Sequence, residues 1–138
     1  MTREETIFDK IIRKEIPAEV VFENDTTLAF LDIAPNNPGH TLVIPKVPSR
    51  NLLDISQESW AHVMETVRML TPIVKHALGA DGINLIMNNE PVAGQMVFHT
   101  HVHIIPRFAG DGYEHWGSKP NADGEIAEVA NKIRSAFI

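Results

Sequence analysis

The sequence predicts an α+β fold: a mainly antiparallel sheet of about five strands, with a long helix, an N-terminal helix and a C-terminal helix. Short strand-like runs follow one another through the first half, separated by turn signals. One stretch, from Ser56 to about Leu78, keeps helical periodicity throughout, and shorter amphipathic stretches open and close the chain.

The opening "TIFDKIIRKEIPAE" sets Ile7, Phe8, Ile11 and Ile12 at helical spacing, and Pro17 stops it. "EVVFENDTTLAFLDI" reads as two short strands with Asn24-Asp25 in the turn between them. Pro35, Pro38 and Gly39 then break the chain before "HTLVIPK", a continuous apolar run suited to a strand buried on both faces. In the long helix Trp60, Val63, Met64, Val67, Leu70 and Val74 form one stripe, with Ser56 as N-cap. Pro72 should kink this helix or disturb it locally. "GINLIMNNE" is a further strand, followed by the loop "PVAGQ" and by "VFHTHVHIIPR". After the polar connection "FAGDGYEHWGSKPNADG", the closing helix carries Ile126, Val129, Ala130, Ile133 and Phe137 on one face.

No internal repeat, low-complexity tract or linker divides the 138 residues, so a single domain over 1–138 is expected. A chain of this length buries roughly two thirds of the surface its unfolded form exposes. Hydrophobic content of 43% with 22% charged residues is that of an ordinary globular protein. The absence of cysteine excludes a disulfide framework, a thiolate metal cage and a Cys nucleophile together. The start "MTREETIFDK" has no apolar core of the kind a signal peptide needs. Runs such as "TLVIP" fall far short of the ~20 residues of a membrane span. A cytoplasmic protein without membrane contact is therefore expected. The net charge of -6 argues against a nucleic-acid partner, while a small anion can still bind locally through backbone N–H groups and imidazoles.

Chemistry concentrates in "VFHTHVHIIPR". In a strand His99, His101, His103 and Ile105 share one side, while Phe98, Thr100, Val102, Ile104 and Pro106 take the other, apolar side. Successive imidazoles then stand ~7 Å apart at the backbone, close enough to touch one ligand. Four readings compete. The first is a solvated face that happens to carry histidines. The second is a zinc site, although the cupin-like version fails because Ile104, Ile105, Pro106 and Arg107 supply no glutamate after the histidines. The third is covalent catalysis on phosphorus, with one neutral imidazole as nucleophile and its neighbours as donors. The fourth keeps a nucleotide but drops the chemistry, giving a binding or regulatory module. Only the third uses every histidine.

The segment "HTHVHII" resembles the histidine triad of the HIT family, with Thr100 the one weakly apolar position between the histidines. "TIFDKIIRKEIPAEVVFEND", "LAFLDI", "PGHTLVIPK", "MNNE" and "AGQ" resemble its Hint-like branch in order and spacing. The similarity spans roughly residues 5–108, leaving a tail and helix over 109–138, where "GDG" and Trp116 are similar to bacterial members. The resemblance implies the HIT-like fold, a homodimer and a hydrolase or nucleotidyl transferase acting at the α-phosphate of a purine nucleotide derivative. A phosphoramidate, an acyl nucleotide and a dinucleoside polyphosphate all fit that class. It makes His101 the nucleophile, His99 its support, His103 the group on the phosphate and leaving-group side, and His40 the fourth histidine that steadies the network.

The same resemblance gives Asp32 the ribose hydroxyls, Ile33 and Phe8 part of the base pocket, and Asn88, Gln95 and the backbone around Val97 the phosphate oxygens. The lesser alternatives are a turn residue before Pro35 for Asp32 and the cap of a strand end for Asn88. His62 and His76 belong to the surface of the long helix and His115 to the tail. No cofactor is required. Met96 stands where many relatives have serine and cannot donate a hydrogen bond from its side chain, so the resemblance does not carry over that phosphate contact. Some bacterial relatives hold a structural zinc through Cys-x-x-Cys, but "TIFDKII" lacks cysteine and Pro48 replaces a further histidine. That metal is not expected. For the dimer, the apolar surface of Trp60, Met64, Val67 and "GINLIMN" is the expected contact.

Overall fold

In the computed structural model, which describes residues 3–137, helix α1 spans Ile7–Ile12. Strands β1 (Val20–Glu23), β2 (Thr27–Leu31) and β3 (Thr41–Pro45) follow, then helix α2 (Gln57–Leu78) and strand β4 (Gly82–Ile86). A single 3-10 turn over Pro91–Ala93 leads to β5 (Val102–Arg107), and α3 (Glu125–Ser135) closes the chain. The five strands form one sheet in the order β1-β2-β3-β5-β4, every pair antiparallel. Met1, Thr2 and Ile138 of the expected domain lie outside the described residues.

Period-two alternation divides the strands between two apolar layers. Ala29, Val43, Val102 and Ile104 face α2 and pack on Val63, Val67, Leu70 and Val74. Leu28, Phe30, Leu42 and Ile44 face the other way and pack on Phe8 and Ile11 of α1. That second face is the one on which His103 lies, because it alternates with Val102 and Ile104. The β1–β2 turn is fixed by Asn24, whose Oδ1 accepts from the backbone N–H groups of Thr26 (3.0 Å) and Thr27 (2.8 Å). A buried hydroxyl pair, Thr27 with Thr66 at 2.8 Å, ties the sheet to α2.

Ser56 caps α2 by accepting from the Ser59 N–H at 3.1 Å, and Gly79 closes it in the left-handed conformation. The helix is not broken at Pro72, which lies on its exposed side. Val67 is 1% exposed beneath the sheet, so it leaves the surface expected for a dimer contact, and Trp60 and Met64 are packed partly against the same core. The closing helix forms where its periodicity predicts, but its apolar face stays open, with Ile126 67% exposed and Val129, Ile133 and Phe137 also exposed.

The histidine strand starts later than its alternation suggests. Pairing with β3 begins at Val102, and His99 and His101 sit in an irregular lead-in outside it. Two side interactions account for the delay. The Thr100 N–H donates to Ser49 O at 2.8 Å, and the His99 carbonyl accepts from the His101 ring. Phe98 is correspondingly exposed, with the Arg50 guanidinium 4.3 Å over its ring, and does not join the core.

Six residues are few for a helix, and α1 depends on its start. The Asp9 carboxylate accepts from the Thr6 N–H at 2.7 Å and takes a bidentate pair from Arg3 at 2.8 and 3.0 Å. Burial raises the Asp9 pKa, but the hydrogen bonds from Arg3 and Thr6 outweigh it and hold the carboxyl at about 2. Because the folded value lies below the ordinary ~3.9, this stabilisation is complete above pH 4 and is lost as pH falls through about 2. Asp9→Ala should therefore destabilise the fold by about 1–3 kcal/mol at neutral pH, measured by denaturant unfolding. The difference from the wild type should shrink as the pH is taken toward 2; a pH-independent difference would mean that lost packing, not the charge, is responsible.

Candidate active site

Four imidazoles converge where β3 and β5 meet their preceding segments. The rings of His101 and His103 lie 5.0 Å apart, those of His103 and His40 5.1 Å apart, and Phe8 stands edge-on to His101 at 5.2 Å. Their hydrogen bonds assign the protons. The Asn36 N–H, which can only donate, reaches His40 Nδ1 at 3.1 Å, so His40 carries its proton on Nε2. That Nε2–H donates to His103 Nδ1 at 2.8 Å, leaving the His103 proton on Nε2. His101 Nδ1–H donates to the His99 carbonyl at 2.6 Å, which leaves His101 Nε2 with a free lone pair. His99 Nε2–H donates to Pro45 O at 2.8 Å. His99 Nδ1 is the one buried side-chain polar atom without a partner among the described residues, 3.9 Å from an Asp9 oxygen.

Burial pushes all four imidazoles below their ordinary range. In His103, burial and then the neighbouring His101 and His40 bring the value to about 4. At neutral pH the cluster is uncharged, as a set of donors and one free nitrogen requires.

Asp32 lies at the mouth, its Oδ2 3.7 Å from His40 Nε2 and its Oδ1 accepting from the Ala34 N–H at 2.9 Å. It is thus both the expected turn residue and a neighbour of the histidines. Donor atoms of Asp32, His40 and His103 fall within 4.8 Å of one another, the spacing of a metal cage. The set does not fit one. His40 Nδ1 is already an acceptor, so a metal at Nε2 would need an imidazolate or the loss of the Asn36 bond.

Other expected ligands behave differently. Gln95 is 3% exposed and spends its whole amide inside the protein. Its Nε2 donates to Arg50 O and Val97 O, and its Oε1 accepts from Asn51 Nδ2 and the Glu90 N–H. It holds the loop together and has no atom left for a phosphate. Phe8, 6% exposed and packed on Phe30, His99 and His101, supports the imidazoles from beneath. Ile33 is 94% exposed beside Asp32. Asn88 is half-buried with only a long bond to Gly94 O at 3.4 Å, and Gly94 itself needs its φ of +97° where the loop closes on that amide. The N–H groups of Met96 and Val97 donate to no atom of the described residues, and the Met96 side chain points into solvent. His62, His76 and His115 stand outside the cluster, at the surface.

Ser49, Arg50, Asn51 and Glu90, which brace the loop, Asn36, which donates to His40, and Asp9, which faces His99 Nδ1 without bonding it, were not expected from the sequence. Buried Asn51 contacts Gln95 across 44 positions, and no local pattern announces such a pair.

A five-stranded α+β protein with this alternating triad is defined as a histidine-triad protein. The family model "HIT domain" matches residues 13–110, and the chain belongs to that family. It is 44% identical over 129 residues to an uncharacterized HIT-like protein of Methanocaldococcus jannaschii, covering 93% of this chain and 98% of that one. It is 42% identical over 106 residues to the purine nucleoside phosphoramidase of Escherichia coli K12, covering 74% and 87%. The crystal structure of SMU.412c from Streptococcus mutans UA159 superposes with a TM-score of 0.93 at 38% identity, covering 99% of this chain and 88% of that one.

The lowered imidazole values have a measurable consequence. A histidine whose folded pKa lies below the unfolded ~6.5 stabilises the fold fully above that value and loses the contribution as pH falls through the folded pKa. For His103 the window runs from ~6.5 down to about 4. The unfolding midpoint should therefore fall between pH 7 and 4.5, with proton uptake on unfolding. A midpoint constant over that range would contradict neutral, buried imidazoles.

Proposed function

We propose that the chain is a nucleotide hydrolase or nucleotidyl transferase that cleaves at the α-phosphate of a purine nucleotide derivative through a nucleotidyl-imidazole on His101. The observation that carries this reading is the bond from His101 Nδ1 to the His99 carbonyl, which leaves Nε2 unprotonated. Kinship with a purine nucleoside phosphoramidase supports the substrate class.

In the first step the His101 Nε2 lone pair forms a bond to phosphorus and the bond to the leaving group breaks. The Nε2–H of His103, the donor that the His40 bond leaves beside the nucleophile, hydrogen-bonds to the leaving atom, which takes a proton from water and departs neutral, leaving hydroxide. Positive charge develops on the His101 ring and is stabilised by the 2.6 Å bond to the carbonyl. In the second step water attacks phosphorus, the P–N bond breaks with its electron pair returning to His101 Nε2, and the proton lost by the attacking water neutralises the hydroxide left by the first step. Neither step calls for a metal or other cofactor. The N–H groups of Met96 and Val97, with the Asn88 amide, hold phosphoryl oxygens, and the half-exposed Asp32 accepts from the ribose hydroxyls. Ile33 flanks the base; Phe8 and Gln95 act from behind by holding the ring and the loop.

The reading includes a homodimer and a cytoplasmic location. Among the described residues no helix is long and apolar enough to cross a membrane. Strand β4 is an edge of the sheet and exposes Leu85 and Ile86, with Ile73 and Leu78 exposed on α2. An isologous contact would cover them. Light scattering at micromolar concentration should give the mass of two chains; the mass of one would reject the dimer.

His101→Ala or His101→Asn should abolish turnover of a purine nucleoside phosphoramidate while leaving nucleoside monophosphate affinity largely unchanged. A rapidly quenched reaction of the wild type should trap labelled nucleotide on one histidine, through a P–N bond stable to alkali and broken by acid. Wild-type turnover in His101→Ala, or label that never reaches His101, would rule out covalent catalysis there. Binding without any wild-type turnover would favour a regulatory nucleotide-binding module.

A further inference from the structure

Glu90 has φ +80° and ψ 155°, a backbone region that is open to glycine and costly for any residue with a Cβ. Such a conformation persists only where its surroundings over-determine it, and here they do. The Glu90 carboxylate accepts from Arg50 Nε at 2.7 Å, from the second guanidinium nitrogen at 3.2 Å and from Asn51 Nδ2 at 2.6 Å. Its N–H donates to Gln95 Oε1 at 2.9 Å, and its carbonyl accepts from the N–H groups of Ala93 and Gln95. A half-exposed ion pair alone contributes little. This one is the end of a clamp: Arg50 also covers the Phe98 ring, its carbonyl takes the Gln95 amide, and Ser49 next to it binds Thr100 at 2.8 Å.

The segment 49–51 thus grips the loop at both ends, at Glu90 and at 95–100. Within the second grip, between Gln95 and Thr100, stand Met96 and Val97 with their unpartnered N–H groups. We propose that Glu90 is a positioning residue: its clamp holds the loop in a strained shape that presents those N–H groups, preformed, to the phosphate. This rests on the nucleotide reading above, and it assigns to an acidic residue the organisation of an anion cradle it does not touch.

The test compares Glu90→Ala, Glu90→Gly and Glu90→Gln with the wild type, using adenosine 5′-monophosphate and adenosine as probes. Alanine removes the clamp and keeps the Cβ strain, whereas glycine removes both. Glu90→Ala should therefore unfold at a lower temperature than Glu90→Gly, the reverse of the ordinary order of these residues. Glu90→Ala should lose on the order of tenfold in affinity for the monophosphate, the worth of one or two misplaced hydrogen bonds. Its affinity for adenosine should not change, and Glu90→Gln, which keeps the shape and part of the bonding, should recover most of the loss. If Glu90→Ala is too unstable to assay, the monophosphate-to-adenosine ratio in Glu90→Gly and Glu90→Gln decides. Equal losses for both probes, or monophosphate affinity unchanged in all three variants, overturns the proposal. A wild type that binds neither probe overturns the nucleotide reading instead.

Discussion

The hydrogen bond from His101 Nδ1 to the main-chain carbonyl of His99 decides which nitrogen of the middle imidazole is free, and much of the local structure follows from it. A carbonyl can only accept, so the proton is fixed on Nδ1 and the lone pair on Nε2. The same carbonyl is withdrawn from the sheet ladder, which therefore begins at Val102. His99 must hold its own place without strand pairing, and it does so through Pro45, Phe8 and the wall formed by α1. A second chain of bonds, from Asn36 through His40 to His103, fixes the remaining protons in the same one-directional way. The imidazoles do not share protons freely. Each is set by a backbone group at the end of its chain.

That arrangement holds only if the rings remain neutral, and burial keeps them so. The sheet supplies the burial by using its two faces differently. One face is covered along its length by α2, while the short α1 covers the other and leaves the imidazoles at its margin. The Arg3–Asp9–Thr6 bonding that starts α1 thereby contributes to the electrostatics of the site, since Phe8 follows Thr6 by two positions and supports His101.

Local physics made much of the fold legible. The uninterrupted "TLVIP" became the fully buried β3, and the stripe from Val63 to Val74 became the face of α2. The alternation of the histidines placed them on one side, but it could not show that Thr100 and the His99 carbonyl would bond elsewhere and shorten the strand. His40 and Asp32 were visible only through the family resemblance. Gln95 was read as a phosphate ligand because its type and position suit one, yet its amide is consumed by contacts that sequence spacing does not reveal. Glu90 was invisible for a related reason: a backbone conformation that favours glycine leaves no mark when the residue there is glutamate. The periodicity of α3 predicted a helix correctly and said nothing about what its apolar face covers.

The most direct test of the account is the tautomeric state of the four imidazoles, read from ring-nitrogen chemical shifts of ¹⁵N-histidine-labelled protein at pH 7. His101 should be neutral with its proton on Nδ1 and an unprotonated Nε2, beside neutral His40, His103 and His99 with their protons on Nε2. A His101 protonated at Nε2, charged, or averaging between tautomers would contradict it, because the nitrogen that must attack would then not be held free.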